Sequence, residues 1–118
     1  MTVDVFTERL AKVRKRFIST LESKIDDAYS ALPKLAAADP GSATTAAETY
    51  RTMHGIVGVG PTVGFPATGR AAREVEASLL SPQHDGRGLS AEEVALYEER
   101  LHALRDAARR ELEFFHAQ

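Results

Sequence analysis

The chain has no cysteine among its 118 residues. Disulfides, thiolate metal sites and cysteine nucleophiles are therefore all excluded. Strand signals are equally scarce, because no β-branched alternating segment is bounded by hairpin turns. No apolar run approaches the roughly 18–20 residues that cross a bilayer. Acids at Asp4 and Glu8 leave no apolar signal-peptide region at the N-terminus. No membrane partner and a cytoplasmic location are expected. An excess of positive charge is missing too. Fifteen Lys+Arg face 17 Asp+Glu, for a net charge of −2, which argues against nucleic acid as the main ligand.

What remains is the composition of an ordinary globular domain, 43% hydrophobic and 27% charged. A chain of this length is expected to form one domain spanning residues 1–118. The charge is unevenly placed. Residues 1–34 carry seven basic and five acidic residues, whereas 81–118 carry five and eight. The run Arg14-Lys15-Arg16 reads as the solvated face of a helix.

Helical periodicity dominates. Phe6, Leu10, Val13, Phe17, Leu21, Ile25, Ala28 and Leu32 recur every three or four residues, predicting a helix over about 4–32 that stops near Pro33. At the other end Ser90-Ala-Glu-Glu93 is a capping box. It opens a helix whose apolar face runs through Val94, Tyr97, Leu101, Leu104, Ala108, Leu112 and Phe115. Between them, start signals at Asp39-Pro40-Gly41-Ser42 predict a helix over 42–58 with Ala46, Tyr50, Met53 and Val57 inward. Pro66 suits the first position of a third, with Thr68, Ala72, Val75 and Leu79 inward. Residues 81–88 read as a polar loop. The expected fold is all-α, an antiparallel up-down four-helix bundle with long first and last helices.

Glycine is sparse except in one place. Of eight glycines, Gly55, Gly58, Gly60, Gly64 and Gly69 crowd into fifteen residues. A phosphate-cradling loop fails on two counts. The spacing is not that of a dinucleotide or P-loop motif, and the cluster follows a helix where both motifs require a strand. Helix geometry suggests a different use. His54 falls on the shoulder of the second helix's apolar face, with Arg51 at i−3 and Gly58 at i+4. Glycine inside a helix costs about 0.5–1 kcal/mol relative to alanine, and access to the imidazole would offset that. Glu76 lies on the matching shoulder of the third helix. If 59–65 form the turn, His54 and Glu76 stand level within about one helical turn. A carboxylate on one ring nitrogen would fix the tautomer and leave the other as a nucleophile. An exposed histidine beside an ordinary surface glutamate is the plainer alternative.

The stretch His54-Gly-Ile-Val-Gly58-Val-Gly-Pro-Thr-Val-Gly64-Phe65-Pro66, continuing to Arg70-Ala-Ala-Arg73-Glu-Val-Glu76, resembles the histidine-containing phosphotransfer (HPt) domain family. The shared elements are a histidine, a glycine four residues on, a turn glycine, and a later hydrophobic-Glu pair. The resemblance implies that His54 is the phosphoacceptor, relaying a phosphoryl group to or from aspartates of response-regulator receiver domains. It implies that Gly58, with Gly55 beside the histidine, admits the receiver, that Gly64 serves the turn, and that Glu76 orients the imidazole. Many members carry a lysine three residues after the histidine. Here that position is Val57, which leaves Arg51 or Arg73 as candidate sources of positive charge near the phosphoryl group. The implied partners are a receiver domain and a hybrid histidine kinase. No cofactor is expected on this chain, since the receiver would bring Mg²⁺, and no independent catalytic machinery is expected either.

Two rivals bear on the same residues. Glu99-Arg-Leu-His102 and Glu113-Phe-Phe-His116 match the Glu-x-x-His pattern of di-iron bundles, but they sit on one helix about 21 Å apart. Such sites need facing helices, so no metal is expected. The stronger rival is a non-phosphorylated interaction module that docks a receiver or kinase without transfer, kept open by Val57. A monomer is expected, and Phe6 and Leu10, which extend the first helix's stripe beyond what the short central helices cover, leave a dimer open. The initial Met and the full set of helices point to a free-standing protein.

Overall fold

The computed structural model describes residues 3–117. These form helices α1 (Val3–Ser30), α2 (Leu32–Leu35), α3 (Ser42–Val59), α4 (Pro66–Asp85) and α5 (Ala91–His116), with a 3-10 turn over Pro61–Val63. The described residues are all-α; the nearest thing to a strand is one isolated bridge between Ala36 and Leu89. The first and last helices are the longest, at 28 and 26 residues.

Side-chain contacts give the direction in which neighbouring helices run. On α1 and α5, the Tyr97 hydroxyl donates to the Ala28 carbonyl at 2.7 Å, Arg105 pairs with Asp26, and the Arg14 guanidinium lies over Phe115. Residue numbers rise on one helix as they fall on the other. The same holds for α4 and α5, where Glu111 meets Thr68 and Arg100 donates to the Glu74 carbonyl. It holds for α3 and α4 because the turn at 60–65 folds one back on the other.

Burial follows the predicted stripes with two shifts. Phe17, Leu21, Ile25 and Ala28 of α1 are buried, as are Thr68, Ala72, Val75 and Leu79 of α4. Tyr97, Leu101, Leu104, Ala108 and Leu112 close the core from α5. Earlier in α1, however, Phe6 and Val13 are exposed. On α3 the buried set is Ser42, Ala46, Thr49, Met53 and Ile56, while Tyr50 and Val57 are half-buried. The face is rotated from the expected one because Thr49, polar by type, turns its hydroxyl onto the Thr45 carbonyl at 2.8 Å and becomes fit for burial.

Two boundaries also differ from expectation. Pro33 does not simply end a helix; it occupies the first turn of the short α2, where its missing N–H costs nothing. The polar loop expected at 81–88 is helical as far as Asp85, with Pro82 inside the helix and buried. Burial of the ring offsets the lost backbone bond. The stop comes four residues later at Gly86, whose φ of 64° a side chain would resist. By contrast, the capping box at the start of α5 is present in both halves: Glu93 N–H donates to Ser90 Oγ at 3.2 Å, and Ser90 N–H to Glu93 Oε1 at 2.9 Å.

Candidate functional site

The turn between α3 and α4 sets the register of the site. Its sharpness depends on glycine at places where a side chain would collide. Gly64 has φ of 98°, and a Cβ there would lie 2.8 Å from the Phe115 ring. A Cβ on Gly69 would lie 2.7 Å from the Pro61 ring, which explains a glycine that sequence alone left without a role. The first turn of α4 has no capping side chain of its own, because Phe65 stands at the cap position. Glu111 of α5 supplies one from across the bundle, accepting from Thr68 N–H at 2.7 Å, Thr68 Oγ1 at 2.7 Å and Ala67 N–H at 3.1 Å. A carboxylate at a helix N-terminus also complements the dipole. Sequence reasoning missed Glu111; the signal was a helix opening on Phe-Pro with no Ser, Thr or Asp before it.

With α4 anchored in this way, His54 and Glu76 face each other. His54 Nδ1 and Glu76 Oε2 are 2.5 Å apart. The two side chains differ sharply in exposure, 71% for His54 against 15% for Glu76. The carboxylate is thus held in the groove and the ring stands out on top of it. Tyr50, one turn earlier on α3, lies nearly parallel to the imidazole, with ring centroids 6.2 Å apart and 10° between planes. Tyr50 had been expected inside the core; its half-buried ring instead backs the histidine. An Nδ1–H donated to an ionised carboxylate leaves the Nε2 lone pair free and facing solvent. A ring in that tautomer would be a neutral nucleophile.

The surroundings are bare on one side. A Cβ placed on Gly55 or Gly58 would meet nothing within 4 Å. Neither glycine is needed by the fold around it. Arg51 and Arg73 are both exposed, and neither is ion-paired among the described residues. Val57 is half-buried. No group of three or more potential ligands that could hold a metal occurs among the described residues. His102 bonds the Tyr29 hydroxyl through Nδ1 at 2.5 Å, which places it in the contact between α1 and α5. No described helix is long and apolar enough to cross a membrane.

A family model, the Hpt domain, matches residues 12–107. The chain belongs to the Hpt domain family. No curated protein and no solved structure matches it significantly. Hpt domains act in histidine phosphotransfer within phosphorelays and generally interact with receiver domains and kinases. The match spans α3, the glycine turn and α4 together, so His54 and Glu76 both lie inside it.

Proposed function

We propose that this Hpt chain is a phosphorelay carrier whose phosphoacceptor is His54. The supporting observation is the pairing of an exposed imidazole with a largely buried carboxylate, which occupies Nδ1 and leaves Nε2 open. The donor is the aspartyl phosphate of a response-regulator receiver domain. The Nε2 lone pair attacks phosphorus in line, the N–P bond forms, and the P–O bond to the aspartate breaks to leave its carboxylate. The Nδ1 proton stays in place, so the product ring is a cationic phosphoimidazole held by Glu76. The reverse step returns the group to a receiver. Positioning and charge stabilisation supply most of the rate in such transfers. Mg²⁺ is expected to arrive with the receiver, and this chain contributes no metal ligand of its own.

Residues 1–118 act in this reading as a single phosphotransfer domain built as an up-down antiparallel four-helix bundle, working in the cytoplasm between a hybrid histidine kinase and a receiver. Gly58 and Gly55 let the receiver's backbone approach the ring. Gly64 holds the turn that keeps His54 and Glu76 level.

The test is to mix the protein with a radiolabelled phospho-receiver. Wild type is expected to take up acid-labile label and His54→Ala none. Equal labelling of both proteins, or none on wild type, defeats the proposal. Receiver binding that persists without transfer would identify an interaction module instead.

A further inference from the structure

We propose that Arg51 binds the phosphoryl group on His54, an inference that rests on the phosphotransfer reading above. The orientation of the ring is the first ground. Nδ1 is held by Glu76 of α4, and the two nitrogens of an imidazole point in roughly opposite directions. Nε2, and any group on it, is therefore directed away from α4 and over the outer face of α3. That face carries Arg51, Gly55 and Gly58. A side-chain carbon at either glycine would meet open space, so the surface of this helix beside the ring is clear.

Charge is the second ground. Transfer places a phosphoryl dianion beside an imidazolium that Glu76 already neutralises. The dianion is left with no compensating charge of its own. Three residues C-terminal to His54, Val57 is apolar and half-buried, and offers nothing. Three residues N-terminal, Arg51 is a direct neighbour across one helical turn, exposed, and paired with no carboxylate among the described residues. A guanidinium presents its donors in a planar fork suited to two phosphoryl oxygens at once. Its freedom from any other partner is what allows it to swing onto the group. Arg73, the other unpaired cation near the site, lies one turn from Glu76 on α4. It stands on the carboxylate's side of the ring, away from Nε2.

The experiment compares wild type, Arg51→Gln, Arg73→Gln, and the double variant Arg51→Gln with Val57→Lys, each charged by the same purified phospho-receiver. Thermal melts serve as the folding control and should coincide for the Arg51 and Arg73 single variants, since neither side chain has a partner to lose. Arg51→Gln is expected to take label about tenfold more slowly, the usual worth of a charge-assisted contact. Its phosphoryl group should also titrate at higher pH by ³¹P NMR, because a cation that favours the dianion has gone. Arg73→Gln should behave as wild type. In the double variant, a lysine one turn above His54 replaces the charge from one turn below, and the transfer rate should recover. Wild-type rates and an unchanged ³¹P titration in Arg51→Gln would overturn the inference while leaving the phosphoacceptor standing. A loss in Arg73→Gln with none in Arg51→Gln would do the same. No label on wild type overturns both.

Discussion

Five glycines within fifteen residues do two different jobs. Gly60, Gly64 and Gly69 are required by contact: a Cβ would come within 2.9 Å of the Ile56 carbonyl, 2.8 Å of Phe115 and 2.7 Å of Pro61 respectively. A Cβ on Gly55 or Gly58 would meet nothing within 4 Å, and both sit within α3, Gly58 in its last turn, where glycine weakens a helix. Alanine should therefore have opposite effects in the two sets. Gly55→Ala and Gly58→Ala are expected to stabilise the protein by about 0.5–1 kcal/mol each. Gly64→Ala is expected to destabilise by about 1–3 kcal/mol, because a left-handed backbone and the Phe115 ring both resist the methyl group. Urea unfolding of the three variants measures this directly. A destabilised Gly58→Ala would mean that the helix needs the glycine for itself. Gly58→Gln extends the comparison to function: it should fold as well as wild type yet receive label from the phospho-receiver several-fold more slowly, since the added side chain lies on the receiver's approach. The sequence displayed the cluster, but the distinction between a glycine that makes room inside and one that clears space outside depends on neighbours far along the chain.

The start and end of each helix show the same boundary between what is local and what is not. Ser90 and Glu93 cap α5 from three residues apart, and such a motif is legible because all its atoms belong to one short segment. Glu111 caps α4 from 43 residues away, and no local pattern announces it. Pro82 belongs with the second kind: proline and polar neighbours signal a loop, yet the ring is buried and the helix runs on to Asp85. His54 and Glu76 lie between these extremes. Their levels could be counted from the turn, whereas the 2.5 Å contact and the parallel Tyr50 ring required packing. At the α5 cap, a pH effect follows. The Arg87 guanidinium, donating to Glu93 at 2.8 Å, and then the Ser90 N–H hold the Glu93 carboxyl at about 2, below its ordinary 4.5. Since the folded-state value is the lower one, the stabilisation is complete above about pH 4.5 and is lost as pH falls through 2. Glu93→Gln is therefore expected to cost about 1 kcal/mol at pH 7, a modest figure for a cap open to solvent. The difference from wild type should shrink towards zero near pH 2. Paired denaturation curves at pH 7 and pH 2 would show it, and a pH-independent difference would assign the effect to helix propensity instead.

Over the whole molecule, stability and function occupy different lengths of the chain. The long axis is 56 Å, against widths of 25 and 18 Å, and part of that length is the first helix running past its neighbours. Arg14 ties this part of α1 to the glycine turn and to α5. Its Nε donates to the Val63 carbonyl at 2.8 Å, and its guanidinium lies over Phe115, near the end of α5. Just inside that tie, Phe17 packs against Phe65 with centroids 5.1 Å apart, joining α1 to the glycine turn. Beyond it, Val5 and Phe6 are exposed and Leu10 is only partly covered. The family match begins at residue 12, two residues before Arg14. Deleting residues 1–9, which stops short of Leu10, is accordingly expected to cost about 1 kcal/mol at most, an effect typical of surface positions, and to leave labelling of His54 unchanged. Phe17→Ala removes a buried ring from the turn and should cost about 3–5 kcal/mol. Because Phe17 supports the turn that keeps His54 level with Glu76, this variant should also slow transfer at temperatures where it remains folded. Urea curves and labelling rates for the two proteins, run side by side, separate the alternatives. A deletion as damaging as Phe17→Ala would show that the projecting end of α1 is part of the core after all.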